Sequence, residues 1–255
     1  MHVTLAQLSP VPRDVGANLA RVRELLAASS GSDLLVLPEL FLSGYELGDA
    51  AAVAVQREGA EVAELRNAAA EAGTALVVGA AEATGAGVAN SAVCIDASGE
   101  LAGVYRKTHL FGEESGAYVA GDELVTVELA GRVVGLQICF DMEFPEVARA
   151  LARRGADLLV TISANSPPFE LDHDVFARAR ALESGLPHVY VNRVGEQDGL
   201  SFSGGSLALD PDARVLAEAG ADGERVLTAE VGPPQRRDPR TRYAELLRES
   251  VYAGR

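Results

Sequence analysis

The chain has 255 residues, 48% of them hydrophobic and 23% charged, which favours one soluble domain spanning residues 1–255. The formal net charge of −15 excludes nucleic acid and anionic membranes as expected partners, because binding to phosphate groups requires basic side chains. Two cysteines are too few for a disulfide framework. The sequence shows neither a signal-peptide pattern nor an apolar run of membrane-spanning length. A cytoplasmic location is therefore expected.

Short apolar runs alternate with amphipathic segments, as expected for buried strands covered by helices. The predicted strands are, in chain order, Val3–Leu8, Leu34–Leu37, Ala75–Val78, Val133–Cys139, Leu158–Ile162 and Val189–Val191. The predicted helices are Ala17–Ala28, Glu58–Ala72, Pro145–Arg153, Val175–Glu183 and Thr241–Arg248. Further strands in succession between Ser91 and Val127 predict a hairpin or meander. The whole pattern predicts an α/β fold with much parallel pairing.

Cys139 ends an apolar strand and is followed by a turn that leads into a predicted helix. A thiol at such a position lies in the crevice outside the carboxyl ends of the strands, where ligands bind in open α/β sheets. Backbone N–H groups of the turn favour the thiolate and stabilise a developing oxyanion. Taken alone, a cysteine in an apolar strand is more often a small core residue, which is the interpretation given to Cys94.

Two charged residues, Glu39 and Lys107, also lie next to apolar strands in the sequence. Glu39 closely follows the predicted strand Leu34–Leu37, where partial burial would raise the pKa of its carboxyl group toward the range of a general base. Lys107 lies between an apolar strand and the pair Leu110-Phe111, where its cation would stabilise a negatively charged intermediate. Taken alone, each residue is equally compatible with an ordinary surface charge.

Three segments together resemble the signature motifs of the nitrilase superfamily of carbon–nitrogen hydrolases. They are Pro38-Glu39-Leu40-Phe41, Tyr105-Arg106-Lys107-Thr108-His109-Leu110-Phe111 and Gln137-Ile138-Cys139-Phe140-Asp141-Met142-Glu143-Phe144-Pro145-Glu146. They occur in the family's order, with Glu39, Lys107 and Cys139 separated by 68 and 32 residues. Three motifs in register are far more specific than any one of them, and the resemblance covers nearly the whole chain.

The resemblance implies an α/β fold of the four-layer α-β-β-α sandwich type and a Glu–Lys–Cys triad. In that triad Glu39 would be the general base, Lys107 the oxyanion stabiliser and Cys139 the nucleophile. The family has a second catalytic glutamate just beyond the lysine motif. Both Glu113 and Glu114 stand there, and Glu114 is preferred by its spacing.

The same resemblance implies a small-molecule amide as substrate, converted to a carboxylic acid and ammonia through a cysteine thioester. Phe140, Asn165, Tyr45 and Phe169 are expected to line the substrate site. The residues after Cys139 resemble the amidase branches, whereas nitrilases more often carry Trp-Glu there, and this chain has no tryptophan. An aliphatic amidase is therefore favoured. A nitrilase, an N-carbamoyl amidase and a catalytically silent small-molecule-binding module are the alternatives.

No metal or other cofactor is expected, because the four histidines show no ligand spacing. Members of the superfamily generally form homodimers or larger homo-oligomers, and the resemblance implies such an assembly here. The segment 233–255 begins with a polar, basic stretch that breaks regular structure. It is expected to be a C-terminal tail that packs on a neighbouring subunit.

Overall fold

Two six-stranded β-sheets pack face to face in the computed structural model of the chain, which describes residues 1–29, 31–234, 238, 240, 243–248 and 251. The first sheet has the strand order β14-β1-β2-β3-β4-β5 and the second has the order β13-β12-β9-β8-β7-β6. The strands are β1 (His2–Gln7), β2 (Leu34–Val36), β3 (Ala75–Thr84), β4 (Gly87–Ile95), β5 (Leu101–Arg106), β6 (Thr126–Leu129), β7 (Arg132–Ile138), β8 (Leu158–Ser163), β9 (His188–Asn192), β10 (Val194–Gln197), β11 (Leu200–Ser203), β12 (Leu207–Leu209), β13 (Val215–Glu218) and β14 (Arg225–Glu230). Strands β10 and β11 form a separate hairpin.

Helices cover the outer face of each sheet. They are α1 (Val15–Ala28), α2 (Ala60–Ala72), α3 (Glu114–Ala117), α4 (Pro145–Arg153), α5 (Glu170–Ser184) and α6 (Tyr243–Leu246). The Asp14 side chain accepts a hydrogen bond from the backbone N–H of Ala17 and so caps the start of α1. Helix α2 ends at Gly73, whose φ of 62° is a conformation that glycine adopts without steric cost.

The central strands are buried on both faces, which explains their continuous apolar sequences. In β2, Leu34 and Val36 lie in the core between the two sheets, whereas Leu35 packs in a second core under α1 and α2. In the second sheet, Leu159 of β8 packs against Val147 and other residues of α4. The resulting layer order is helix, sheet, sheet, helix, so the predicted α-β-β-α sandwich is confirmed.

The predicted elements are present with shifted boundaries. Helix α4 has the bounds expected, whereas α5 begins at Glu170, five residues before the predicted start, and β3 extends to Thr84. The succession of strands after Ala75 is an antiparallel meander of β3, β4 and β5. Of the tail expected at 233–255, only residues 233–234, 238, 240, 243–248 and 251 are described, and α6 lies against α5 of the same chain. The rest of that prediction lies outside the described residues.

The sandwich brings the ends of three strands together. Lys107 directly follows β5, Cys139 directly follows β7, and Glu39 follows β2 after a two-residue step. The turn at Glu39 packs closely on β3. A Cβ atom added to Gly79 would lie only 2.3 Å from the Leu40 backbone nitrogen. Glycine at that position is therefore required for the close approach. Among the described residues, no helix is long and apolar enough to cross a membrane.

Candidate active site

Cys139 occupies a strained turn at the end of β7. Its φ of 48° lies in the left-handed region, which is rare for a residue with a side chain and costs on the order of 1–3 kcal/mol. A short 3-10 turn, Cys139–Glu143, follows and leads into α4. The thiol is not part of a disulfide, and its residue is only partly buried, whereas Cys94 is fully buried in the core. The Cys139 side chain therefore packs partly against the core between the sheets and partly borders a cavity, whereas that of Cys94 lies wholly in the core.

The buried carboxylate of Asp141 holds this turn in place. Its Oδ2 accepts hydrogen bonds from the Tyr105 hydroxyl at 2.7 Å and from the Ile138 N–H at 3.0 Å. Its Oδ1 accepts from the His109 N–H at 2.9 Å and from the Thr108 hydroxyl at 2.8 Å. Oδ1 also lies 2.9 Å from Nδ1 of His109, so each oxygen has at least two hydrogen-bond partners and the buried carboxylate is satisfied. The network joins the turn of the thiol to the segment that follows β5.

Lys107 lies between two buried carboxylates. Its Nζ donates to Oε1 of Glu39 and to Oε1 of Glu114, each at 2.8 Å, and the three side chains are 0%, 0% and 1% exposed. Lys107 is the only lysine in the chain, and every other basic side chain is arginine. An ammonium group offers three donors in a tetrahedral arrangement that a planar guanidinium cannot reproduce, which explains the choice of lysine here.

The two oxygens of Glu39 have different surroundings. Oε1 accepts from Lys107 and also from the Asn90 side-chain amide at 2.6 Å. Oε2 is buried and has no hydrogen-bond partner among the described residues. A buried carboxylate oxygen without a donor is costly unless it serves a function. Oε2 is therefore the atom of this cluster that is available to receive a proton.

Glu114, rather than Glu113, joins the buried cluster. Its Oε1 also accepts from the Tyr45 hydroxyl at 2.8 Å, and its Oε2 accepts from the Phe111 N–H at 2.8 Å. Glu113 is exposed. Five donated hydrogen bonds on the two neighbouring carboxylates, two of them from Lys107, fix the ammonium group between them.

Electrostatic coupling within the cluster shifts three pKa values. Burial raises the pKa of Glu39, and the adjacent Lys107 charge acts in the opposite direction without cancelling this effect. Burial alone would lower the pKa of Lys107, but Glu39, Cys139 and Glu114 raise it well above its ordinary value, so the ammonium stays charged. Burial, followed by the Glu39 charge, raises the pKa of the Cys139 thiol. The thiol is therefore protonated at neutral pH and needs a base to become a nucleophile.

A cavity of about 260 Å³ opens in front of the thiol. Its walls include all four side chains predicted for the substrate site, namely Tyr45, Phe140, Asn165 and Phe169. The amide of Asn165 is held by donation to the Phe169 carbonyl at 3.1 Å. A volume this small, just below the usual range for pockets of drug-sized ligands, suits a short substrate.

Several residues of the site carry no signal in the sequence. Asn90 lies in the middle of β4, 51 residues from the Glu39 carboxylate to which it donates. Ser163 ends β8 and hydrogen-bonds to the Cys139 side chain, which lowers the pKa of the thiol against the larger effects that raise it. The position of Ser163 after an apolar strand is the one feature that would have marked it. His109 stacks on Phe144 with the ring centroids 4.1 Å apart and lies outside the carboxylate cluster.

Comparisons with known proteins agree on one family. The model of the carbon-nitrogen hydrolase family matches residues 2–240. An (R)-stereoselective amidase of Pseudomonas sp. is 42% identical over 225 residues, which cover 87% of this chain and 82% of that protein. A nitrilase of Pyrococcus abyssi is 37% identical over 241 residues, which cover 91% of this chain and 89% of that one.

The fold of the chain also matches a solved structure over nearly its whole length. An amidase from Nesterenkonia sp. superposes with a TM-score of 0.88 at 32% sequence identity, over 99% of this chain and 95% of that one. Variants of that amidase have been solved with acrylamide and with butyramide, and another carries the acetamide moiety of fluoroacetamide added covalently at its active-site cysteine.

Proposed function

Because the chain belongs to the carbon–nitrogen hydrolase family, we propose that it is an amidase that hydrolyses small aliphatic amides to carboxylic acids and ammonia. The observation that carries this proposal is the buried cluster of Glu39, Lys107 and Glu114 beside a thiol on a strained turn. A base, a fixed cation and a protonated nucleophile are the groups that covalent hydrolysis of an amide requires. The similar amidases from Pseudomonas and Nesterenkonia support the same activity.

In the acylation step Glu39 is the general base. Its partnerless Oε2 accepts the proton of the Cys139 thiol while the sulfur attacks the carbonyl carbon of the amide. The carbon–nitrogen bond then breaks, and the proton on Glu39 passes to the leaving nitrogen, so that ammonia departs. The carbonyl carbon remains bound to sulfur as a thioester.

The negative charge that develops on the carbonyl oxygen is stabilised by Lys107. Two of its three N–H donors already bind Glu39 and Glu114, so the third is available for the oxyanion. The backbone N–H of Phe140, within the turn that starts at Cys139, is the second donor that we assign to this oxygen. Because both donors are fixed before substrate binds, they stabilise the charge without reorganising.

In the deacylation step Glu39 acts a second time. A water molecule gives a proton to its carboxylate and attacks the thioester carbon, the carbon–sulfur bond breaks, and the sulfur takes the proton back. The products are the free thiol and a carboxylic acid. Glu114 takes no proton in this scheme. It positions Lys107 and is itself held by Tyr45 and the Phe111 N–H.

The alternatives differ in the substrate that the same cluster would accept. A nitrilase or an N-carbamoyl amidase would use Cys139 in the same way, and the similar nitrilase of Pyrococcus abyssi keeps the first of these open. We favour the amide because the residues after Cys139 resemble the amidase branches and the chain has no tryptophan.

A cytoplasmic location, assembly into homo-oligomers and packing of the tail on a neighbouring subunit are further parts of the proposal.

Ammonia release from matched substrates tests the proposed activity. Acetamide, propionamide and butyramide are compared with butyronitrile and with N-carbamoylglycine, each with the native chain and with Cys139→Ala. Release from the amides that is lost in the variant is expected. If ammonia is released faster from the nitrile or from the N-carbamoyl compound than from the amides, the chain is a nitrilase or an N-carbamoyl amidase instead. A chain that releases ammonia from none of them, with a thiol that reacts slowly with iodoacetamide, would be a silent binding module.

A further inference from the structure

Carboxylates outnumber basic groups on the walls of the cavity, where His173 is the one basic side chain among the described lining residues. Three glutamates line it: Glu113, Glu114 and Glu143. None of the lining residues that the structure describes is lysine or arginine. Lys107 lies behind this surface, bound to Glu39 and Glu114, so the buried cluster as a whole has one more carboxylate than it has ammonium groups. A substrate that carried a carboxylate would meet repulsion here.

Glu143 is the glutamate that the fold holds in place at the wall. It is the last residue of the turn that begins at Cys139, and its side chain is 25% exposed. Its Oε1 lies 3.5 Å from Nε2 of His173, and Nδ1 of His173 lies 2.9 Å from the Tyr190 hydroxyl. His173 and Tyr190 are buried. The Glu143 carboxylate therefore has an ordered support on one side and the cavity on the other.

Two arginines close to the cavity do not contact the Glu143 carboxylate. Arg180 donates to the backbone carbonyl oxygens of Met142 and Glu143 and to the carboxylate of Glu183. Arg193 lies with its guanidinium carbon 3.8 Å from the ring centroid of Phe202, a lining residue, and is itself not part of the wall. Within the described part of the chain, the basic group in contact with the Glu143 side chain is the imidazole of His173 and not an arginine.

Aromatic rings form much of the remaining wall. Phe111 makes edge contacts with Phe140 and with Phe169, at centroid distances of 5.3 and 5.7 Å. The face of an aromatic ring attracts a cation, and the attraction grows when the site excludes water. A carboxylate beside aromatic rings is an arrangement that recognises an ammonium group and gives no favourable contact to an anion.

We propose that the substrate is an amide that carries an ammonium group, and that Glu143 binds this group while Cys139 attacks the amide carbonyl. The inference rests on the proposed amidase function and specifies its substrate class as short amino amides. The cavity of about 260 Å³ restricts these to small compounds. Glu113, which is exposed at the rim, contributes to the field that attracts the cation, and Glu143 makes the direct contact.

The test compares three amides that differ at one end. Butyramide ends in a methyl group, 3-aminopropanamide has an ammonium group in place of that methyl, and succinamate ends in a carboxylate. At pH 7 we expect kcat/KM for 3-aminopropanamide to exceed that for butyramide by about tenfold or more, and succinamate to be the poorest of the three. In Glu143→Gln, kcat/KM for 3-aminopropanamide divided by kcat/KM for butyramide should fall to about one, whatever the absolute rates.

Two further variants isolate the contact. Glu143→Asp keeps the charge and should keep the direction of the preference. Glu170→Gln removes an exposed charge beside Phe169, outside the wall, and should leave the ratio as it is in the native chain. If Glu143→Gln keeps the native ratio, Glu143 does not bind the ammonium group. Circular dichroism of each variant verifies that it is folded.

Binding to Cys139→Ala separates this inference from the proposed activity. Calorimetric titration of that variant should give a lower Kd for 3-aminopropanamide than for butyramide. If the native chain hydrolyses butyramide but shows no preference for the ammonium compound, in rate or in Kd, the inference is overturned and the amidase proposal stands. Preferential binding of the ammonium compound without hydrolysis of any amide would overturn the amidase proposal and support the binding role of Glu143.

Discussion

Replacing Lys107 by methionine removes one charge from the buried cluster and keeps a side chain of similar length. Glu39 and Glu114 are then left as two carboxylates, 0% and 1% exposed, without a cation between them. Removing one partner from a buried ion pair costs about 3–5 kcal/mol, because the other charge stays uncompensated. For a domain of this size, that corresponds to a Tm lowered by roughly 6–20 °C. Loss of the proposed oxyanion donor should lower kcat by roughly 10²-fold or more.

The destabilisation should also depend on pH. Burial already raises the pKa of Glu39 in the folded chain, and Lys107 limits this rise. In Lys107→Met the folded-state pKa rises further above the unfolded value. A group of this kind contributes stability at pH values below its unfolded pKa, and the contribution is lost as the pH rises through its folded pKa. The difference in Tm between the native chain and the variant should therefore be larger at pH 8 than at pH 5.

Differential scanning calorimetry at both pH values, together with ammonia release from butyramide, measures these effects. The double variant Lys107→Met/Glu114→Gln removes one of the two uncompensated charges, so it should recover part of the lost Tm and none of the lost activity. A variant whose Tm falls by less than about 2 °C at both pH values would show that Lys107 does not hold two buried carboxylates together.

Three other substitutions probe the supports of the site. Tyr45→Phe deletes the 2.8 Å donor to Glu114, and we expect a loss of about 1 kcal/mol in the free energy of unfolding and a several-fold lower kcat, measured by urea unfolding and by steady-state rates. Gly79→Ala brings a Cβ to 2.3 Å from the Leu40 nitrogen and should lower both Tm and activity, whereas Gly116→Ala, whose Cβ would have no atom within 4 Å, should not. Asp141→Asn replaces one acceptor oxygen by a donor amide, so at least two of the groups that donate to Asp141 lose their acceptor, and it should cost roughly 1–3 kcal/mol by the same unfolding assay.

The α/β class could be predicted from the sequence because the central strands are apolar on both faces and helices alternate with them, whereas the sandwich was implied by the resemblance to the family. The same pattern indicated a crevice at the end of the strand for Cys139, and the resemblance to the family joined Glu39 and Lys107 to it, each of which does follow a strand. Boundaries were harder to predict. Helix α5 begins before the amphipathic pattern becomes regular, since its first turn is mostly acidic and exposed.

The supporting residues could not be predicted, because sheet pairing and turn geometry bring them together. Asn90 reaches Glu39 only because β4 pairs with β3, on which the Glu39 turn lies. Glu114 is the exception, because the spacing of the family's motifs favoured it over Glu113 and its side chain does point inward at the start of a single helical turn. Both glutamates have the same local composition, so no periodicity distinguishes them. The single lysine of the chain, in a protein that otherwise uses arginine, was the compositional signal that would have marked Lys107 directly.

The most direct test of the account is the covalent intermediate on Cys139. The native chain is mixed with butyramide, quenched in acid within one turnover, and examined by intact-mass spectrometry and peptide mapping. We expect a mass increase of one butyryl group on the peptide that contains Cys139, together with one equivalent of ammonia, and neither product in Cys139→Ala. Ammonia release from butyramide by Cys139→Ala at the native rate, or an adduct on any other residue, would contradict it.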